Sequence, residues 1–225
     1  MATKTDKYTV GSLFAGIGGI CLGFQKAGFE VKWANEIDKN ACITYRENFK
    51  HTLIEEDIYK LKTSQFEKVD VITSGFPCQA FSIAGYQNGF KDPRGNLFFE
   101  TVRFINELKP KAFLLENVKN IVGHDKGNTL KVIKDYILHC GYSFIPKVMN
   151  SMEYGDIPQN RERIYIVGFK GESGYWSELG DSGANICSSK FKFPDSVKLT
   201  VKVRDILEES PKDKYYYTEK SRYYK

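Results

Sequence analysis

The 225-residue chain lacks the features that mark a membrane, secreted or zinc-binding protein. No apolar run approaches the roughly 18 residues that a membrane-spanning helix needs, and the amino-terminal residues lack the apolar core of a signal peptide. The five cysteines form no Cys-x-x-Cys pair and have no neighbouring histidine cluster, which argues against a disulfide framework and against a metal site. We therefore expect a protein without a membrane contact, in the reducing cytoplasm.

The chain also lacks a strong excess of one charge. Its 33 basic and 28 acidic residues leave a formal net charge of +5, which permits nucleic acid as a partner without arguing for it. Hydrophobic residues make up 41% of the sequence, enough for one sizeable core. These properties indicate a globular domain, alone or with a short appendage.

The order of apolar segments predicts alternating strands and helices. Residues 8–14 are strand-like, and a glycine turn follows them before a helix that Gly28 ends. Residues 31–36 predict a second strand, after which Asp38 can cap a helix. Further strands are expected at 69–72, 111–116, 142–149 and 163–169. Helices are expected at 96–108 and from a cap at Asn128 or Thr129 to Gly141. This alternation indicates an α/β fold with a mostly parallel, doubly wound sheet.

Cys78 follows one of these predicted strands, directly after a Gly-Phe-Pro turn. Ligands of open α/β sheets bind outside the carboxyl ends of the strands, so a thiol there is placed to attack a bound ligand. A free cysteine is more often a small buried hydrophobe, and Cys78 by itself favours that reading. The segment 79–95 is rich in small residues and predicts a loop.

The turn Phe14-Ala-Gly-Ile-Gly-Gly19 lets the backbone approach a ligand closely and aims the amino end of a helix at it. Glu36 ends the second strand about twenty residues further on, where a carboxylate accepts from ribose hydroxyls. The glycines do not match a Gly-x-Gly-x-x-Gly phosphate cradle, so S-adenosylmethionine fits better than NAD. Asp57, after a third predicted strand, is either an acceptor for an adenine amino group or a solvated loop acid.

Three stretches carry a family resemblance: Phe76-Pro-Cys-Gln79, Glu116-Asn-Val118 and Gln159-Asn-Arg-Glu-Arg163. In this order and spacing they resemble the signature motifs of the DNA cytosine-C5 methyltransferases. The stretches at 92–98 and 123–129 also resemble bacterial members, and the likeness covers about residues 9–169. It implies the Rossmann-like sheet of S-adenosylmethionine-dependent methyltransferases and methylation of cytosine in double-stranded DNA, as in a restriction-modification system.

The resemblance implies a role for each motif. Cys78 would add to carbon 6 of cytosine, and so activate carbon 5 toward the methyl sulfonium. Glu116 would meet the N3 and amino edge of the ring, and Arg163, with Arg161 as a second candidate, would hold the O2 side. Gln159 of the same motif is counted among the catalytic residues. The product of the cofactor would be S-adenosylhomocysteine.

The implied binding residues follow the same motifs. The cofactor site is assigned to Phe14, Gly16, Gly18, Gly19, Glu36, Ile37, Asp57, Ile58, Pro77 and Leu97. Because carbon 6 is unreachable in a stacked duplex, the target base must be flipped out. Gln79, Ser82, Lys91 and Arg94 are the candidates for DNA contacts in the loop that would close over it.

The sequence departs from the family in two ways. Tyr154-Gly-Asp-Ile-Pro-Gln159 carries one residue more, Asp156, than the usual run, which leaves the aim of Gln159 open. The family also continues into a target-recognition domain and two final motifs. We expect a catalytic domain over 1–175 and, over 176–225, a linker or the start of a recognition region. The chain would then be a truncated enzyme or one subunit of a split enzyme, which methylates little without its missing part.

Other functions remain open on the sequence. A tRNA cytosine-C5 methyltransferase shares these motifs, and comparing methyl transfer to tRNA and to duplex DNA would separate the two. An incomplete fragment that only binds cofactor or DNA would be unaffected by replacement of Cys78. A nicotinamide oxidoreductase is the weakest alternative, because it leaves Cys78, Glu116 and Arg163 unexplained together.

Overall fold

A computed structural model describes residues 7–77, 97–172, 174 and 190–212. Its strands are β1 (Thr9–Leu13), β2 (Glu30–Glu36), β3 (Thr52–Glu55), β4 (Val71–Ser74), β5 (Ala112–Val118), β6 (Ile145–Asn150) and β7 (Glu162–Phe169). Its α-helices are α1 (Gly19–Lys26), α2 (Lys39–Asn48), α3 (Leu97–Leu108), α4 (Asn128–His139) and the single turn α5 (Ser151–Tyr154). No helix within these ranges is long and apolar enough to cross a membrane.

The strands form one sheet in the order β3-β2-β1-β4-β5-β7-β6. Strands β1 to β5 are parallel to one another, whereas β7 runs antiparallel to β5. The expectation of a mostly parallel, doubly wound α/β sheet is confirmed. The chain moves outward from β1 to β3 and then returns to β4 on the other side of β1. Such a reversal opens a crevice at the carboxyl ends of β1 and β4, where ligands bind in this class of sheet.

Two hydrophobic clusters hold the helices on the sheet. The larger contains residues of β4, β5, α3 and α4, including Ile72, Phe113, Phe104 and Ile133, which are at most 1% exposed. The smaller joins β1 and β2 to α1 and α2 through buried Cys21 and Tyr45. Buried residues of α3 recur at helical spacing, which explains why the apolar pattern at 96–108 predicted this helix.

The ends of the helices test the predicted caps. Asp38 caps α2, because its carboxylate accepts a hydrogen bond of 2.7 Å from the backbone N–H of Ala41. The predicted cap of α4 was wrong: the cap is Gly127, in a left-handed conformation, and it makes no side-chain hydrogen bond. The hydroxyl of Thr129 instead lies 2.6 Å from Nδ1 of His124. The Thr129 hydroxyl is therefore bound to His124 and caps no backbone N–H of α4.

The chain divides into two compact units. The first comprises Met1–Met149 and Glu162–Phe193, and the second comprises Asn150–Arg161 and Pro194–Lys225. In the second unit, residues 194–202 lie in neither helix nor strand, and a 3₁₀ turn follows at Val203–Ile206. The domain boundary at residue 175 stays a prediction.

Candidate active site

Three predicted site residues and one glycine stand level with one another along the carboxyl edge of the sheet. Leu13 pairs with Asn35 and with Ser74, and Ser74 pairs with Leu115. The next residue of each strand is therefore Phe14, Glu36, Gly75 or Glu116. We call these four residues the edge row. The parallel register brings them together although the chain separates them widely, which is how ladders assemble sites in open α/β sheets.

Glu36 ties the glycine turn to the end of β2. Its Oε2 accepts a hydrogen bond of 2.8 Å from the backbone N–H of Gly16. Its Oε1 accepts from the backbone N–H groups of Ile37, at 2.8 Å, and Asp38, at 2.9 Å. An ionised carboxylate has about four acceptor positions, so these bonds leave room for a hydroxyl donor. Glu36 therefore orders the turn and keeps acceptor capacity at the carboxyl end of β2.

The glycines of the turn serve different purposes. Gly16 and Gly18 have φ of 57° and 95°, which side chains rarely tolerate. A Cβ at Gly18 would overlap the ring of Phe49, whereas a Cβ at Gly16 or Gly19 would meet nothing within 4 Å. The fold itself therefore requires glycine at position 18. The open space beside Gly16 and Gly19 leaves their backbone approachable by a ligand.

Glu116 forms the polar end of β5. Its Oε1 lies 3.2 Å from Nε of Arg163, and the side chains of this ion pair are 23% and 21% exposed. In the antiparallel register of β5 and β7, Glu116 faces Tyr165 and Val118 faces Arg163, so the arginine reaches the carboxylate diagonally. The structure thus brings together two of the predicted catalytic residues.

Gly75 allows the turn after β4 to pass beside this ion pair. A Cβ at Gly75 would lie 3.6 Å from Oε2 of Glu116 and 3.7 Å from the carbonyl oxygen of Phe14. The chain continues through Phe76, which is buried, to Pro77, the last described residue before Cys78. The turn that leads to the cysteine therefore starts in contact range of Glu116.

Asn117 is a site residue that the sequence reasoning did not single out. Its side chain is buried, its Nδ2 donates to the carbonyl oxygen of Phe76 at 3.0 Å, and its Oδ1 accepts from the backbone N–H of Val118 at 2.9 Å. The amide thereby fastens the turn before Pro77 to the end of β5. Its place inside the Glu116-Asn-Val118 motif was the only signal in the sequence.

The remaining predicted cofactor residues lie in different surroundings. Asp57 accepts a hydrogen bond of 3.0 Å from the backbone N–H of Tyr59 and so caps a 3₁₀ turn, Ile58–Lys60. The side chain of Ile58 is buried in the larger hydrophobic cluster. Phe14 and Leu97 are partly buried and pack against that cluster. Ile37 is 59% exposed. The structure thus places Ile37 at the surface and Ile58 in the core.

Gln159 and Arg161 belong to the second unit and are exposed. The loop that carries them, Asn150–Arg161, is closed at its base by Asn150. The Oδ1 of Asn150 accepts from the backbone N–H groups of Met152, at 3.1 Å, and Arg161, at 3.2 Å. The predicted residues Cys78, Gln79, Ser82, Lys91 and Arg94 lie outside the described residues.

A buried polar cluster backs the glycine turn. The hydroxyl of Tyr45 lies 3.1 Å from Sγ of Cys21 and 2.5 Å from Nε2 of His51. Burial lowers the pKa of His51 below its usual 6.5 and, with the neighbouring Cys21, raises the pKa of Tyr45. Both shifts favour the neutral forms of His51 and Tyr45 near pH 7. The ring of Tyr45 packs on Phe49, which in turn lies behind Gly18. Within the described ranges, no group of three or more His, Cys, Asp or Glu residues could hold a metal ion.

The family model of C-5 cytosine-specific DNA methylases matches residues 8–225. The chain belongs to this family. It is 50% identical over 214 residues to the type II methyltransferase M.Bsp6I of Bacillus sp. (strain RFL6), a match that covers 93% of this chain and 64% of the relative. It is 43% identical over 195 residues to the type II methyltransferase M.HhaI of Haemophilus parahaemolyticus, covering 87% of this chain and 55% of the relative.

A solved structure supports the fold. The DNMT2 of Spodoptera frugiperda, in a mutant form, matches 92% of this chain and 62% of its own chain with a TM-score of 0.68 at 23% identity. At this identity the likeness speaks for the sheet and its helices alone. The chain spans under two thirds of the length of the curated relatives described above.

Proposed function

We propose that this chain carries the catalytic centre of an enzyme that transfers a methyl group from S-adenosylmethionine to carbon 5 of cytosine in double-stranded DNA. The family and the names of the type II methyltransferase relatives support DNA as the substrate. The single observation that carries the proposal is the Glu116–Arg163 ion pair beside Gly75, at the start of the turn that leads to Cys78.

The chemistry assigns a task to each of these side chains. The thiolate of Cys78 adds to carbon 6 of the flipped-out base, which makes carbon 5 nucleophilic. Glu116 shares a proton with N3 and so relieves the negative charge that the addition places on the ring. Arg163 donates to O2 while its ion pair holds the carboxylate of Glu116 in place. Gln159 and Arg161 are assigned to the same site from the motif.

The edge row fits a nucleoside cofactor. Gly16 and Gly19 border open space, Glu36 offers a remaining acceptor for a ribose hydroxyl, and the crevice lies where the strand order reverses. When bound, S-adenosylmethionine supplies an electrophilic methyl group. We assign its contacts to the cofactor residues named in the sequence analysis, and Asp57 keeps one carboxylate oxygen besides the Oδ1 that caps the 3₁₀ turn.

Equilibrium binding of S-adenosylmethionine tests the cofactor site. Glu36→Gln removes the charge and one acceptor, so we expect affinity to fall about tenfold or more. Glu55→Gln is the matched control, because Glu55 pairs with Glu36 in the β2–β3 ladder but its carboxylate binds Arg46 at the surface. Equal affinities for the two variants would contradict the assignment.

Covalent trapping tests the reaction. The chain is incubated with labelled S-adenosylmethionine and a duplex that carries 5-fluorocytosine at the target, because fluorine blocks the final elimination. We expect a covalent adduct with the native chain and none with Cys78→Ser. A tRNA with the same substitution forms the comparison arm, and an adduct with tRNA alone would reassign the substrate.

We further propose that the residues reading the DNA sequence belong to a part of the enzyme outside this chain. The supporting fact is that the chain spans 64% and 55% of the two relatives. In that case the isolated chain forms the adduct slowly, and a separately produced recognition part accelerates it. Rapid sequence-specific methylation by the chain alone would exclude a separate recognition part.

A further inference from the structure

Asp156, the residue by which the sequence departs from its family, contacts a distant segment of the chain. Its Oδ1 accepts hydrogen bonds from the backbone N–H groups of Thr200, at 2.5 Å, and Val201, at 3.2 Å. Its Oδ2 accepts from the hydroxyl of Thr200 at 2.6 Å. Asp156 has a left-handed φ of 50°, which non-glycine residues rarely adopt unless such bonds hold them. We call these three hydrogen bonds the Asp156 tether.

The segment that Asp156 holds has no regular structure of its own. Residues 190–202 lie outside helices and strands, so no ladder fixes their position. One further bond runs nearby, from the backbone N–H of Val197 to the carbonyl oxygen of Glu153 at 2.6 Å. Both sides of these contacts belong to the second unit. The carboxylate is the only charged acceptor among them, and bonds to charged groups are the stronger ones.

The Asp156 tether is directly followed in the chain by the turn that contains Gln159. The backbone N–H of Gln159 donates to the carbonyl oxygen of Ile157 at 2.7 Å, and that of Ile157 donates to Ser151 at 3.4 Å. Ile157 directly follows Asp156, and Pro158 restricts the backbone between the two turn residues. A shift of Asp156 is therefore passed on to Gln159 through a short, stiff link.

We propose that Asp156 is a positioning residue that couples the segment 197–201 to the turn carrying Gln159 and Arg161. This inference rests on the proposed function, in which those two residues serve the target cytosine. Asp156 thus gives the loop a carboxylate that binds Thr200 and Val201. A movement of the residues that follow Val201 then changes the position of Gln159.

Hydrogen exchange of the full chain, resolved by residue, tests the coupling without requiring activity. In Asp156→Ala we expect the amides of Thr200 and Val201 to exchange several-fold faster. The deciding amides are Gln159 and Arg161, which do not bond to Asp156 and should also exchange several-fold faster. Asp156→Asn keeps an acceptor and should restore most of the protection.

Asp205→Ala is the matched control. Asp205 also accepts a backbone N–H, from Lys202 at 2.9 Å, and both partners of this bond lie outside the loop Asn150–Arg161. We expect faster exchange at Lys202 and no change at Gln159. If Asp156→Ala frees Thr200 and Val201 while Gln159 and Arg161 stay protected, Asp156 is an anchor only and the proposal is wrong.

The trapping assay adds a catalytic readout. We expect Asp156→Ala to form the 5-fluorocytosine adduct several-fold more slowly with an unchanged affinity for S-adenosylmethionine, and Asp156→Asn to recover most of the rate. Equal adduct rates for native and Asp156→Ala chains would overturn the catalytic side of the proposal. If the native chain forms no adduct, the proposed function fails, and the exchange experiment still decides the coupling.

Discussion

The two regions that carry the predicted catalytic residues are held in place by different means. At the edge row and on the adjacent strand β7, backbone ladders fix Glu116 and Arg163, and the four edge-row residues are level because their strands are in register. In the loop Asn150–Arg161, the side chains of Asn150 and Asp156 hold the backbone in place by accepting hydrogen bonds from backbone N–H groups. The difference shows that position at the edge row is a property of the whole sheet, whereas position in the loop depends on individual side chains.

This comparison predicts different consequences of mutation. Changes at the edge row should alter either the chemistry or the global stability, because the ladders unfold with the sheet. Changes in the loop should alter local protection and leave the global transition nearly unaffected.

The largest effect is expected for Glu116→Gln. Glutamine keeps an acceptor for Arg163 but cannot share a proton with N3, so methyl transfer should fall roughly 10²–10⁴-fold. Glu162→Gln is the control, since this carboxylate on β7 pairs with Lys119 at the surface. Methylation of duplex DNA, measured with any recognition part the enzyme needs, provides the readout. A loss below tenfold would show that the carboxylate does not act on the ring.

Gly18→Ala should produce the largest loss of stability. The added methyl group would overlap Phe49 in a left-handed conformation, so the free energy of unfolding should fall by roughly 2–4 kcal/mol. Gly19→Ala enters open space and should change stability by less than about 0.5 kcal/mol. It should nevertheless weaken binding of S-adenosylmethionine. Urea unfolding and equilibrium binding measure the two effects, and unchanged binding would remove Gly19 from the cofactor site.

Asn117→Ala should destabilise the edge row through the turn before Cys78. It leaves the carbonyl oxygen of Phe76 without its buried donor, so we expect a loss of about 1–3 kcal/mol. Asn48→Ala, which removes an exposed bond to Thr44, should change stability by less than about 0.5 kcal/mol. Similar unfolding midpoints for both variants would mean that Asn117 does not fasten the turn.

The smallest effect concerns the pH dependence of the loop. The hydroxyl and backbone N–H of Thr200, followed by the N–H of Val201, lower the pKa of Asp156 below its usual 3.8. Because the folded-state pKa is depressed, the tether is intact above pH 3.8 and is lost as the pH falls through the lower value. Thr200→Val should move the pKa of Asp156 back toward 3.8. An NMR titration of the Asp156 carboxyl checks this, and an identical titration in both chains would rule out a contribution from the hydroxyl.

Local patterns in the sequence predicted most of the elements, because apolar spacing and caps such as Asp38 act within a few residues. The neighbours that complete the site were not predictable in this way. Asn117 reaches Phe76 across 41 positions and Asp156 reaches Thr200 across 44. The insertion of β7 between β5 and β6 depends on long-range pairing as well. The motif identified Glu116 and Arg163, but only the antiparallel register explains how the arginine reaches the carboxylate.

The antiparallel pairing of β7 with β5 also limits how the length of this part of the chain can change in evolution. Successive side chains of a strand point to opposite faces. One residue inserted between Arg163 and Tyr165 would turn the guanidinium away from Glu116 if the rest of β7 kept its register. Insertions in the preceding loop leave that pairing intact. We therefore expect natural variation in length to accumulate before Glu162.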